Sequence, residues 1–199
     1  EGFDNIAGLA GWDGIYLTSL PDERYLGKNI AEIARMRGQS PVDACCDLLV
    51  EARGQITMID FMAAEEDILS ILESPLSSVI SDSTYPTEGN PHPRVYGTFV
   101  RIIQHFVVEK KALTLPKAVE KMTSAPAKAL RLQGKGTIAP GMDADICVFA
   151  PEDVREMGTY TQPRQLAQGM DTVLVAGRVA WERGQMTARR AGKVVKRDA

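Results

Sequence analysis

Residues 77–99 read "SSVISDSTYPTEGNPHPRVYGTF". A short apolar run ends in a carboxylate, Asp82. A loop rich in Pro, Gly and Thr follows and closes with His92, Pro93, Arg94, Tyr96 and Gly97. Strand, loop, helix is the order of one unit of a parallel sheet, where each crossover carries a helix. In barrels built from such units, reactive groups sit where a strand ends and its loop begins. Asp82 stands at such an end. From spacing alone, the plainer reading of Asp82 is a turn cap.

Toward the N-terminus the same alternation continues. Residues 14–20, "GIYLTSL", form a β-branched and aromatic run that stops at Pro21, which predicts a strand. "GKNIAEIARMRG" puts Ile30, Ile33 and Ala34 on one face and ends at Gly38, which predicts a helix. "SPVDACCDLLVEARG" predicts another. Ser40 is its cap, Pro41 its first residue and Asp43 its capping acid, with Val42, Cys45, Cys46 and Leu49 as the apolar stripe. "QITMIDF" reads as a strand and "AAEEDILSILES" as a helix with its acids at the favourable end. Residues 14–83 therefore predict parallel βα units. The opening, Glu1 to Gly14, shows several glycines and no helix cap, as if cut into a longer protein.

Toward the C-terminus, Tyr96 to Lys110 predicts a helix. "TLPKAVEKM" predicts a second, capped by Thr114, with Leu115, Ala118, Val119 and Met122 buried. "SAPAKALRL" makes a third. The character changes at Gly134. A Pro-Gly turn leads to a strand from Asp145 to Phe149, and "DTVLVAGRVAWERG" reads as two strands joined at Ala176-Gly177. Residues 134–199 read as all β. No internal repeat is visible.

The bulk composition narrows the function classes. The chain has 199 residues, 44% hydrophobic and 25% charged, with a net charge of −3. These values fit a globular domain with no nucleic-acid surface. The locally basic stretch from Arg189 to Arg197 reads as a solvated C-terminus. No apolar run reaches the ~20 residues that span a bilayer, and no secretory signal is visible. The three cysteines, Cys45, Cys46 and Cys147, lack metal-site spacing, and an odd count argues against a disulfide framework. They read as buried small residues of a cytoplasmic protein. No G-x-S-x-G elbow supports a serine triad.

Three stretches together resemble the C-terminal part of the amidohydrolase superfamily, and within it the N-acyl-D-amino-acid deacylases, or D-aminoacylases. "ISDS…HPRVYGTF" is similar to that family's strand-eight aspartate and following loop. "LTLPKAVEKMTSAPAKALRL" is similar to the helices after it. "GKGTIAPGMDADICVFAPEDV" and "VLVAGRVAWERGQ" are similar to its trailing β domain. The resemblance implies an α/β fold: residues 1–133 as the C-terminal part of a (β/α)8 TIM-type barrel, and residues 134–199 as half of a small β-sandwich. A whole barrel needs ~250 residues. The chain is therefore expected to be a portion of a fuller enzyme, completed by a missing N-terminal part, a complementary chain or self-association, and inert alone.

The resemblance also implies roles. Asp82 becomes the general acid/base and a weak zinc ligand, with the other ligands missing from this chain. Arg94 becomes the clamp on the α-carboxylate of a small N-acyl-amino-acid substrate. Its plane of donors suits a carboxylate, while the plainer reading is a surface or loop-stabilising arginine. Tyr96, Tyr25 and Ser19 stand near further carboxylate contacts, although Tyr96 reads more simply as packing. Zinc is the expected cofactor of the complete enzyme. His92 is expected to orient its loop and His105 to be structural. Where the family has Gly after the aspartate, Ser83 stands here. Two rival readings are kept: a cyclic amidase of the dihydroorotase or hydantoinase kind, and a non-catalytic scaffold or interaction fragment.

Overall fold

The computed structural model describes residues 5–84, 89–187 and 190–196. The chain divides into two compact units. The first comprises Glu1–Ile68, Ser83–Pro93 and Thr159–Arg164, and the second Leu69–Asp82, Arg94–Gly158 and Gln165–Ala199.

In the first unit, helix α1 spans Ile6–Ala10. Asn5 caps it, its Oδ1 accepting from the Gly8 N–H at 2.8 Å, so the opening does carry a cap. Strand β1 is Ile15–Ser19, helix α2 is Ile30–Arg37, helix α3 is Pro41–Glu51 and strand β2 is Thr57–Asp60. Both strands fall where the residue pattern predicts them, but β1 and β2 pair antiparallel, Ile15 opposite Asp60. The parallel expectation fails for a geometric reason. One helix between two strands returns the chain in its original sense. Two helices joined by the short turn at Gly38, which takes a left-handed φ of 64°, return it reversed.

Local chemistry explains the helices. Asn29 and Glu32 form a reciprocal capping box on α2, and Ser40 caps α3. Ile15, Leu17, Leu20, Tyr25, Ile30, Ile33 and Leu48 close the core of this unit. The buried face of α3 is Ala44 and Leu48, with Cys45 half-buried. Val42 and Leu49 are exposed instead, and so are Cys46 and Cys147. The expected stripe was therefore turned by about one residue. All three cysteines are free.

Helix α4, Glu65–Glu73, has Glu65, Glu66 and Asp67 in its first turn. In the second unit, α5 is Arg94–Arg101 and runs into a π-helix, Ile102–Glu109, rather than continuing as one α-helix. Helix α6 is Leu115–Met122, capped by the Thr114 hydroxyl, and α7 is Ser124–Ala129. The predicted strand at 77–83 is absent. The segment has no ladder partner among the described residues, and the Val79 N–H donates to the Lys121 carbonyl at 3.0 Å instead.

Strands β3 (Ile146–Phe149), β4 (Met170–Val175), β5 (Arg178–Glu182) and β6 (Gln185–Met186) form an antiparallel sheet in chain order. The hairpin falls at Ala176-Gly177 as predicted. Both residues have positive φ, 50° and 74°, which matches the twist of the flanking strands. Two apolar clusters hold this unit. Leu72, Val79, Ile102, Phe106, Leu113 and Ala118 form one; Val100, Ile103 and Val154 form the other. Among the described residues no helix is long and apolar enough to cross a membrane. The basic stretch from Arg189 to Arg197 lies partly outside the described residues, and 190–196 forms no helix or strand.

Candidate active site

Asp82 ends the extended segment that follows α4. Its backbone turns left-handed, with φ of 46°. Such a turn costs an ordinary residue about 1–2 kcal/mol, and Asp is among the few that tolerate it. Ser83 is not in that conformation, so the turn that would favour glycine falls on the aspartate itself.

Arg94 begins α5, whose first turn is tightened by the Thr98 hydroxyl donating to the Arg94 carbonyl at 2.8 Å. The Arg94 Nη2 reaches Asp82 Oδ2 at 2.9 Å. The structure thus joins the two residues that carry the predicted chemistry. Their side chains are open to water, 41% exposed for Arg94 and 75% for Asp82. A carboxylate and a guanidinium are thus both accessible, and each is paired with the other. Tyr96 follows Arg94 by two positions on α5, and such positions do not face each other on a helix.

The other predicted residues lie in the first unit. Tyr25 is buried; its hydroxyl accepts from Arg37 Nε at 3.2 Å and the Arg37 guanidinium stacks on its ring. Arg37 also donates to both oxygens of Glu51, at 2.9 and 2.6 Å, which holds that carboxyl below its usual range. Tyr25 therefore has a structural task. Ser19 lies under the loop: a Cβ on Gly89 would come within 2.4 Å of the Ser19 Cβ. The Asn90 N–H donates to the Thr18 carbonyl at 3.2 Å, and Arg164 donates to the Gly89 carbonyl. His92 meets the Tyr160 ring edge-on at 5.5 Å. This unit also carries a cavity of about 590 Å³ walled by Tyr16, Phe61 and Tyr160, with Asp13, Thr18, Asn90 and Thr161 among its polar groups. Its size is that of a small-molecule pocket.

His105 is engaged elsewhere. Its Nδ1 lies 3.1 Å from Glu109 Oε2, while Gln104 Nε2 donates to the other oxygen at 2.8 Å. These partners, Gln104 foremost, hold the Glu109 carboxyl below its usual range. Burial pushes the Cys45 thiol up, which disfavours a nucleophilic thiolate. Among the described residues no three His, Cys, Asp or Glu side chains gather closely enough to hold a metal ion. Asp82 Oδ2 is paired with the Arg94 guanidinium. The described residues do not fit a metal centre by themselves.

One residue escaped the sequence reading. Lys121 on α6 is 2% exposed. Its Nζ donates to the Ser74 carbonyl at 2.6 Å, the Ser77 carbonyl at 3.1 Å and the Ser77 hydroxyl at 2.8 Å. A lysine beside the stripe positions of an amphipathic helix reads as a solvated charge. Only the three converging acceptors mark it out.

Comparison with known proteins bears on this arrangement. Residues 14–181 match the amidohydrolase family. The chain is 34% identical over 173 residues to a D-aminoacylase of Alcaligenes xylosoxydans xylosoxydans, covering 87% of this chain and 34% of that protein. A solved D-aminoacylase, described for the functional role of its binuclear metal centre, superposes with a TM-score of 0.84 at 32% identity, over 96% of this chain and 39% of the other. An N-acyl-D-glutamate deacylase from Bordetella bronchiseptica, complexed with zinc and a phosphonate inhibitor, gives 0.81 at 29% identity, over 96% and 39%. The chain thus spans little more than a third of the length of these relatives. Over nearly all of its own length, however, it carries their fold and their residue pattern, and it belongs to the amidohydrolase family.

Proposed function

We propose that this chain is the C-terminal portion of a zinc-dependent amidohydrolase. The enzyme hydrolyses the amide bond of N-acyl-D-amino acids to a D-amino acid and a carboxylate. The observation that carries the reading is the Asp82–Arg94 pair, a carboxylate and a guanidinium 2.9 Å apart and open to solvent. The D-aminoacylase and N-acyl-D-glutamate deacylase relatives support the substrate class. In this reading, residues 1–133 supply the last strands and helices of a barrel and 134–199 half of a β-sandwich.

The chemistry of these residues follows from their charges. Arg94 exchanges Asp82 for the substrate's α-carboxylate, gripping it through two parallel N–H donors. Asp82, released, accepts a proton from the water that attacks the amide carbon and delivers it to the leaving nitrogen as the C–N bond breaks. One water is consumed; its first proton reaches the leaving nitrogen through Asp82, its second is lost by the new carboxylic acid to the freed amine, and the products are an ammonium group and a carboxylate. Tyr96, Ser19 and Tyr25 remain proposed carboxylate contacts of lesser weight, given the tasks described above. Zinc is expected in the complete enzyme on ligands that the described residues do not supply.

The reading places the enzyme in the cytoplasm, in keeping with three free cysteines. It also calls for a missing N-terminal part, a complementary chain or a second copy. Native mass and metal content, followed by assay on N-acetyl-D- and N-acetyl-L-amino acids, test the proposal. Turnover of the D series only by an assembled enzyme, lost in Asp82→Asn, supports it. Turnover of a ring amide in place of the acyclic substrate overturns the substrate class. Turnover by the lone chain overturns the expectation that it is inert.

A further inference from the structure

We infer that Lys121 is a positioning residue for Asp82. It fixes the extended segment that carries the carboxylate and acts through that segment's backbone. The inference deepens the reading above and rests on it for the role of Asp82.

The argument begins with burial. A lysine that is 2% exposed brings an ammonium group out of water, which is costly unless each N–H is satisfied. Lys121 has three N–H donors and three acceptors: the Ser74 carbonyl, the Ser77 carbonyl and the Ser77 hydroxyl. All belong to the turn between α4 and the Asp82 segment. The Ser77 hydroxyl also donates to the Ser74 carbonyl at 3.0 Å, so the turn is closed on itself as well as on the lysine.

The same residue makes a second anchor. Its carbonyl accepts from the Val79 N–H at 3.0 Å. Side chain and main chain of one residue thus hold positions 74, 77 and 79. The segment they hold has no strand ladder. Three residues beyond the last anchor stands Asp82, in its left-handed turn, with Oδ2 on Arg94. Arg94 is placed by α5, and the hydrogen bonds of Lys121 run to the Asp82 segment and its preceding turn instead. Loss of Lys121 should therefore move the carboxylate relative to the guanidinium rather than move both together.

Two readouts distinguish positioning from plain stability. The first is NMR of the 199-residue chain, following amide exchange at Val79 and rotation of the Arg94 guanidinium, which pairing with Asp82 slows. Lys121→Met is expected to raise amide exchange at Val79 by at least about tenfold and to release the Arg94 guanidinium. If Lys121→Met does not fold, Ser77→Ala removes one acceptor and is expected to give the same changes at smaller size. A lowered melting point with the Arg94 signal unchanged would overturn the inference. The second readout is kinetic, in the assembled enzyme. Lys121→Met is expected to lower kcat by about 10²-fold, the scale of an ångström of misplacement, with KM within about twofold. A rise in KM at unchanged kcat would also overturn it. Failure of the deacylase reading shows separately, as absence of turnover by the wild-type assembly while the NMR changes persist.

Discussion

Arg94 Nη2 and Asp82 Oδ2 stand 2.9 Å apart, so the group proposed to receive the substrate's carboxylate already holds a carboxylate of the chain. The pair is open to water, and exposed pairs contribute only about 0.2–1 kcal/mol. Asp82 is then a weak internal competitor. Asp82→Asn removes that competitor while keeping a residue that tolerates the left-handed turn. The expected result is carboxylate binding tighter by up to about fivefold, with turnover abolished and stability changed by less than about 1 kcal/mol. Calorimetric titration with N-acetyl-D-alanine measures the first, and urea unfolding the last. Arg94→Met should lose carboxylate binding altogether. If Asp82→Asn weakens it instead, Asp82 orients Arg94 rather than competing for it.

A second prediction concerns the backbone beneath the β sheet's entry. Gly169 has φ of 89°, and a Cβ there would meet the Asp153 carbonyl oxygen at 2.3 Å. The obstacle is main chain, which cannot swing aside as a side chain could. The neighbouring bridge, in which Arg155 and Gln168 exchange N–H donors, leaves no slack. Gly169→Ala is expected to destabilise the protein by about 2 kcal/mol or more, from strained φ and overpacking together. Urea unfolding gives the value, and Gly141→Ala is the control, because it shares the positive φ but has open space around its Cβ.

These features show what was legible in advance. The helix caps at Ser40 and Thr114, and the Ala176-Gly177 hairpin, are written in a few adjacent residues. So is the Asp82-to-Arg94 loop signature. The direction in which β1 meets β2 was not, because it depends on how many helices intervene and how they turn. The face of α3 was misread because Val42 and Leu49 are apolar yet exposed. Apolar side chains occupy surfaces often enough that periodicity alone settles a stripe only to within a residue. Lys121 was invisible because its partners are backbone carbonyls and a serine 44–47 residues away in the chain.

Acid should weaken the second unit through a charge cluster at the sheet. Lys135 Nζ lies 2.8 Å from Asp143 Oδ2 and also pairs with Asp145. The Ala176 N–H donates to Asp145 Oδ1 at 2.8 Å. The hydrogen bond from Lys135, first among the causes, holds both carboxyls below their usual range. A carboxyl depressed on folding adds stability above its unfolded value, near 3.9, and that stability disappears as pH falls through the folded value. The urea midpoint should therefore drop as pH falls from about 5 toward 2. Lys135→Met should flatten that dependence while leaving the neutral-to-alkaline side up to pH 9, where wild-type Lys135 stays charged, unchanged in slope. An identical acid slope in the variant would assign the loss to other carboxylates.

Metal addition gives the last prediction. A ligand that binds only the native state stabilises it by RT ln(1 + [L]/Kd), about 2.7 kcal/mol at a hundredfold excess over Kd. Among the described residues His92 lies against Tyr160, His105 against Glu109, and Asp82 on Arg94. None of these adjoins two further donors suited to a metal. The 199-residue chain should therefore unfold at the same urea concentration in excess zinc as in EDTA. Zinc-dependent stabilisation that vanishes in Asp82→Asn would give this carboxylate a ligand role within the chain itself. Stabilisation that survives Asp82→Asn but vanishes with Cys45 and Cys46 replaced would place zinc on thiols away from the proposed site. A flat result, combined with zinc-dependent turnover once the chain is assembled with its complement, would put the metal's ligands on the complement, and loss of zinc from the Asp82→Asn assembly would then be needed to add Asp82 to them.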